Sequence, residues 1–413
     1  MKHETRTGFF QDKGVKQMKR AMFLFTGVLA AAALVVAFSG PATAAVTGVC
    51  SNCHTMHSSQ SPAPSAWTDK GWSADQSPNV ALLVTGCVGC HTAPSATQNT
   101  GSNTTPYVHQ TQDPTYGDYG VAGNTLAGGT FYYMKADEGT QAGDAKAHNV
   151  LGISSVADSQ LTNTPPGYDA TLGQSLGLPA TWGSNRLRCA GTYGCHGDHG
   201  QSDQFAAISG AHHGDDTTID GSTVAKSYRF LKGIVGKEWN TSGGTGGKWE
   251  YKPTATAHNQ YKGKDRTDDI YTGGTDTISY LCAECHGFFH SSDNAGGDTA
   301  TGGIDDGTWG NWVRHPTDYD MGNTAVGSEY RTYNGDGSTY SVVAPVASVD
   351  VGTVVSSVTY SDDTIVTCLS CHRAHGSDYA DLLRWDYSGM VAGTTGTTAG
   401  TGCFLCHTAK DGA

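Results

Sequence analysis

Past residue 39 this chain of 413 residues has no further apolar run long enough to cross a bilayer, little positive charge, and no cysteine left over from its pairs. The first absence excludes a later membrane-spanning helix. The second argues against a nucleic-acid partner: 25 basic residues stand against 38 acidic ones, for a formal charge of −13. Apolar residues are scarce too, at 37%, too few for an ordinary core. Glycine supplies 56 positions, about double the usual share, and the stretches 241–247, 296–307 and 392–402 have the composition of unstructured chain. Methionine is scarce beyond residue 44, where only Met56, Met134, Met321 and Met390 occur. That leaves histidine, not methionine, as the residue able to bind metal axially.

What is present is a repeated attachment signature. All twelve cysteines fall into six pairs, and each pair is followed at once by histidine. The pairs are Cys50 and Cys53 before His54, Cys87 and Cys90 before His91, and Cys189 and Cys195 before His196. They continue with Cys282 and Cys285 before His286, Cys368 and Cys371 before His372, and Cys403 and Cys406 before His407. Five read C-x-x-C-H, the c-type haem motif. The third, C-A-G-T-Y-G-C-H, has five residues between its cysteines, so its chain must bulge to keep both thiols on one macrocycle. Zinc would need cysteine pairs to meet in fours, and a disulfide framework gives no reason for histidine after every pair. The motifs therefore predict six covalently attached haem c groups, with the twelve cysteines as thioether anchors and His54, His91, His196, His286, His372 and His407 as proximal iron ligands.

The start of the chain reads as an export signal. Residues 1–20 hold six basic and two acidic residues. An apolar run from Ala21 to Ser39 follows, and then small residues up to a cleavage site after Ala44. An uncleaved membrane anchor is the alternative. The expected organisation is a signal peptide over 1–44 and one hexahaem cytochrome c domain over 45–413. That domain would carry −17 once the four surplus positive charges of the signal are removed from −13. Its expected fold class is mostly irregular coil with short helices and a few short strands, the haem stack serving as the core. Helical spacing predicts short helices over 223–234 and 378–386, and valine-rich alternation predicts a pair of strands over 340–347 and 351–360. The acidic turns at Asp215-Asp216 and 334–337 lack a full calcium loop.

Beyond His3 and the six proximal ligands, ten histidines remain for six distal positions: His57, His109, His148, His199, His212, His213, His258, His290, His315 and His375. The odd-numbered motifs share a second histidine three residues after the first (His57, His199, His375), and the even ones do not. That alternation suggests haems arranged in pairs. A ligand so close to its neighbour cannot easily fold back to the same iron, so these three are expected on neighbouring haems. His148 and His315 sit in loops between motifs, and His290 is the sixth choice. His212, His213, His258 and His109 are reserves. With distal histidines in surplus and every motif ending in histidine, no iron is left open for substrate. The chain therefore reads as an electron carrier, not an enzyme. The rivals are a soluble periplasmic electron shuttle and a multihaem reductase.

The segments C-S-N-C-H-T-M-H, F-Y-Y-M-K, A-H-N-V, C-A-E-C-H-G-F-F-H-S-S, R-H-P, C-L-S-C-H-R-A-H-G-S and C-F-L-C-H resemble the filament-forming outer-surface hexahaem cytochromes of metal-reducing bacteria, the OmcS-type nanowire cytochromes. The third motif, A-H-H-G-D-D and H-N-Q-Y-K-G are closer to related tetrahaem filament cytochromes. The resemblance implies an extracellular or cell-surface polymer, with the periplasm as the alternative location. It also implies head-to-tail self-assembly through His57 onto a haem of the adjacent subunit, the fifth haem, and electron exchange with other redox proteins and external acceptors.

Overall fold

The computed structural model describes residues 49–54, 82–83, 86–94, 99, 105–114, 125–161, 163–175, 178–214, 217–238, 249–250, 252–265, 274–290, 315, 317–391 and 402–408. All of them belong to the unit spanning 45–413. The low-complexity stretches 241–247, 296–307 and 392–400, Asp215-Asp216 and the 1–44 segment lie outside the described residues.

The helices are α1 (Cys87–His91), α2 (Tyr132–Ala136), α3 (Gln141–Asp144), α4 (Ala170–Ser175), α5 (Gln204–Ala207), α6 (Ile278–His290) and α7 (Cys368–Cys371). The strands are β1 (Arg188–Ala190), β2 (Gly194–His196), β3 (Gly236–Lys237), β4 (Gln260–Tyr261), β5 (Tyr319–Asp320) and β6 (Ile365–Val366). They make three two-stranded pairs, β1–β2 parallel and β3–β4 and β5–β6 antiparallel. The rest is turn and irregular chain, with no described helix long and apolar enough to cross a membrane. This is the coil-rich fold the composition predicts.

Short elements with few apolar residues need their backbone ends satisfied locally, and aspartate does much of this. Asp203 caps α5 by accepting from Phe205 N and Ala206 N, Asp386 accepts from Ser388 N, and Asp336 accepts from Ser338 N and Thr339 N. Part of the acidic composition is thus turn chemistry. The apolar residues gather in several small clusters, and three of these touch motif cysteines. Phe131, Met134, Ala147, Val150 and Ile153 pack near Cys189. Met321, Tyr333, Tyr340, Val346, Val358 and Val366 pack near Cys406. Ala344, Trp385 and Leu405 pack near Cys371 and Cys403. Apolar side chains are therefore collected where the macrocycles attach.

Three local expectations change. Residues 223–234 and 378–386 are not helices but successive tight turns, around Tyr228–Phe230 and Ala380–Leu382. Tyr228, Leu231 and Ile234 all reach one core cluster, because a period of three is shared by a helix and by consecutive turns. Their helical path is broken by left-handed backbone at Arg229, Phe230, Asp381 and Leu382, with φ between 50° and 59°. The valine-rich stretches 340–347 and 351–360 form no ladder. Residues 339 and 357 make a single bridge. The buried Tyr333 hydroxyl takes the next backbone positions, accepting from Ser341 N and donating to Ala344 O at 2.7 Å.

Candidate haem sites

None of the twelve cysteines is in a disulfide. Five motifs present their thiols on a helical turn: Cys50–Asn52, α1, α6, α7 and Gly402–Leu405. Cysteines three apart on such a turn share one face, and the following histidine comes round beneath them. In the first motif Cys53 N donates to Cys50 O at 3.1 Å, and in the second Cys90 N donates to Gly86 O at 3.1 Å. These bonds set Cys53 and Cys90 one turn along from Cys50 and Cys87. Cys50 is exposed, and Cys53, Cys87 and Cys90 are half-buried. Cys53 and Cys90 thus each sit on a tight turn, while their thioether bonds rest on the motif chemistry.

In α6 the helical path is broken at the motif histidine His286, φ −122° and ψ 44°. The third motif solves the same problem differently. Its two cysteines sit on β1 and β2, whose register pairs Arg188 with Gly194 and Ala190 with His196. Cys189 therefore lies opposite Cys195. The extra residues form a small loop closed by Gly191 in left-handed backbone, φ 84°, with Gly194 N donating to Gly191 O. A wide gap in sequence becomes a close pair in space.

Four of the motif histidines are held in one tautomer. His91 Nδ1–H donates to Pro106 O at 2.9 Å, His196 to Arg229 O at 2.9 Å, His286 to Pro166 O at 2.7 Å and His372 to Asp381 O at 2.6 Å. A carbonyl only accepts, so the proton is on Nδ1 and the Nε2 lone pair is free for a metal. The odd motifs add a shared device. The carbonyls behind His196 and His372 belong to the left-handed residues Arg229 and Asp381. Leu82, beside the bridge from Leu83 to His54, is left-handed as well.

Each of five motif histidines faces a histidine from elsewhere in the chain. Ring centroids are 6.0 Å apart for His54 and His213 and 6.4 Å for His91 and His212. They are 6.4 Å apart for His196 and His375, 6.2 Å for His286 and His148 and 6.3 Å for His407 and His315. Two metal–imidazole bonds of about 2 Å each, with the rings' own half-widths, put trans ligands roughly this far apart. By contrast His258 stacks on Tyr340 at 3.7 Å, leaving no room for an atom between. Burial, reinforced by neighbouring histidines, holds His212 and His286 down to about 4 and His375 down to about 3. Burial also lowers His91, His148 and His196. The neutral imidazole, the form that binds iron, is favoured throughout this group. His148 Nδ1–H donates to Ala374 O at 2.7 Å, which frees its Nε2 as well.

Among the described residues, His199 does not face a motif histidine. His199 is engaged at both nitrogens, Nδ1 on Glu284 Oε2 at 2.8 Å and Nε2 on Cys195 O at 3.2 Å. Burial pulls its pKa down, and Glu284 more than offsets this, so the net shift is upward. With both ring nitrogens engaged, neither is offered to a metal. His290 ends α6, and its side chain lies outside those described. His213 and His212 instead stand opposite His54 and His91. A His-His doublet places two imidazoles on neighbouring sites, the signal that sequence reasoning passed over. His258 faces two backbone carbonyls, Asn259 O and Val355 O, and His109 lies against Thr92 Oγ1. Met134 and Met321 are buried in apolar clusters. His57 lies outside the described residues. Among the described residues no imidazole faces His372.

The motifs adjoin in sequence order. The adjacent residues His212 and His213 tie the first pair to the second. The thiols of Cys87 and Cys189 hydrogen-bond to each other, as do those of Cys282 and Cys368. Cys195 lies near Cys282 and Cys285, and Cys371 near Cys403 and Cys406. Haems attached at these thiols would be neighbours from the first motif to the last.

Comparison with known proteins agrees with this chemistry. The family described as the doubled CXXCH motif matches residues 362–412, the fifth and sixth motifs. The chain is 27% identical to the C-type cytochrome OmcS of Geobacter sulfurreducens, over 89% of its own length and 86% of the relative's. A solved Outer Membrane Cytochrome S filament from the same organism is 21% identical, with TM-score 0.40, over 83% of this chain and 85% of that one. A cryo-EM structure of OmcS nanowires is 23% identical, with TM-score 0.41, over 89% and 92%. Covalent haem c is thus the cofactor class of this chain.

Proposed function

We propose that this chain is an exported hexahaem cytochrome that carries electrons along six bis-histidine haems and polymerises outside the cell. One observation carries the reading: five motif histidines each face a second histidine at 6.0–6.4 Å. Haem iron supplies reversible one-electron chemistry when bound. The chain's own residues do the rest. Cysteine pairs fix each macrocycle, with Cys53 and Cys90 as the second anchors of the first and second haems. Backbone carbonyls fix the proximal rings, and paired imidazoles close both axial positions. With both closed, substrate has no way onto the metal, which supports a carrier over a reductase. Two imidazoles donate more strongly than a Met/His pair, so potentials are low.

His372 supports self-assembly. It is the fifth proximal ligand, it has the same Nδ1 anchor as the others, and among the described residues no imidazole faces it. His57, near the start of the unit and beyond the pairs already formed, is the histidine to supply it from a neighbouring subunit. Export over residues 1–44 and a surface location follow from the same reading.

Haem staining, pyridine haemochrome and intact mass of the purified protein test it. Six haems on a chain beginning near Ala45, all low-spin in both redox states, are expected. Five haems, or carbon monoxide binding in the reduced protein, would revive the reductase. A protein of six low-spin haems that stays monomeric at high concentration would instead be a soluble shuttle.

A further inference from the structure

The partner of the proximal imidazole differs at the sixth motif. Four of the other motif histidines donate Nδ1–H to neutral backbone carbonyls, at 2.6–2.9 Å. His407 has a carboxylate there, Glu329 Oε1 at 3.8 Å from Nδ1. Among the described residues Glu329 has no lysine or arginine partner. Arg331, two residues on, donates to Gly322 O and lies over the Tyr360 ring. The carboxylate is also held in place. Glu329 opens the turn Glu329–Gly335, and its carbonyl accepts from Thr408 Oγ1 at 2.5 Å, next to His407 itself. Thr332 and Thr408 make a second hydroxyl contact across the same junction. The Tyr330 ring stands edge-on to His407 at 5.0 Å, and its hydroxyl bonds to Glu329.

A carboxylate behind a ligating imidazole makes that imidazole the stronger donor and favours the more positive metal. Resting on the six-haem reading above, we infer that Glu329 is a positioning and tuning residue that lowers the reduction potential of the sixth haem relative to one backed by a carbonyl. The separation is an ion-pair distance, not a hydrogen bond, and both groups are partly exposed. The influence is therefore Coulombic and partly screened by solvent. Its place in the relay gives it a purpose. An electron on the sixth haem would then pass downhill to any neighbouring haem backed by a neutral carbonyl.

The test is a spectroelectrochemical titration of the full-length holoprotein beside E329Q, which keeps the shape of the side chain and removes its charge. One component of the titration should move to higher potential in E329Q, the other five staying in place. The ferric EPR spectrum should show one low-spin signal with a narrowed g-spread. E329A is the second variant and should move the same component in the same direction. Six low-spin haems with every midpoint unmoved in both variants would overturn this inference and leave the relay intact. Free thiols at Cys403 and Cys406 in the wild-type protein, by peptide mass, would overturn it together with the six-haem reading.

Discussion

At the scale of single residues, an imidazole binds iron only if one nitrogen keeps a lone pair and points at a gap wide enough for a metal. His199 and His212 separate on that criterion. His199 is engaged at both nitrogens by Glu284 and Cys195 O. His212 is buried, neutral and 6.4 Å from His91 between ring centroids. His212→Ala should therefore leave the second haem without a distal ligand. About one sixth of the iron would turn high-spin and bind carbon monoxide when reduced. His199→Ala should leave all six haems low-spin and lower stability instead, since it strands the buried Glu284 carboxylate. Magnetic circular dichroism of the two variants separates the cases, and a high-spin signal in His199→Ala would reverse the assignment. Sequence spacing alone favoured His199 because it repeats the pattern of His57 and His375. The repeat is real at the level of chain path. What it does not carry is the carboxylate brought in from the fourth motif, far along the sequence and invisible to local reading.

At the scale of elements, the proximal rings are set by backbone rather than by side-chain pattern, and this explains what was legible. The cysteine pairs are legible in the sequence because thioether chemistry fixes their spacing, whereas the turn that carries Cys53 and Cys90 is seen only in the structure. The segments 223–234 and 378–386 are not legible, because their period of three is common to helices and to the left-handed turns that aim Arg229 O and Asp381 O at His196 and His372. Those turns store strain in non-glycine residues. Asp381 is exposed at φ 58°, so Asp381→Gly should relieve strain and raise stability by up to about 1 kcal/mol, read as a higher Tm. Gly129 is the opposite case. A Cβ there would lie 1.9 Å from Gly376 O, at φ 79°, where two loops cross beside His375. Gly129→Ala should cost more than about 2 kcal/mol and loosen the distal ring of the third haem. A Gly129→Ala protein as stable as wild type would show that the crossing is not rigid. Acid resistance belongs to this scale as well. Burial raises the Glu138 carboxyl, but Lys135 and the Ser154–Ser155 donors outweigh it and hold the group at about 2. A depressed carboxyl contributes stability above its unfolded pKa of 4.5 and loses it as pH falls toward 2. Glu138→Gln should therefore lower stability at neutral pH and shift it little at pH 2, measured by denaturant midpoint.

At the scale of the whole molecule, a chain with 37% apolar residues cannot fold on an ordinary core, and three of its apolar clusters lie against motif cysteines. Removing haem should leave it without most of its buried apolar surface. Protein made without the attachment machinery is expected to give no cooperative thermal transition. The same logic extends past one subunit. Five motif histidines face a second histidine within the described chain, and no such ring pair forms at His372 among the described residues. A monomer would carry an open or water-bound fifth haem, and a polymer would close it. If His57 of a neighbour is that ligand, the contact is head-to-tail and does not close on itself, so it propagates. His57→Ala should then keep six haems per chain, convert one to high-spin, and shorten or abolish filaments seen by negative-stain microscopy. Added imidazole should restore the low-spin spectrum without restoring the filaments, because it fills the coordination site but cannot bridge two chains. Normal filaments with every iron low-spin in His57→Ala would assign the junction to another histidine, and His290, whose side chain lies outside those described, would be the next to replace.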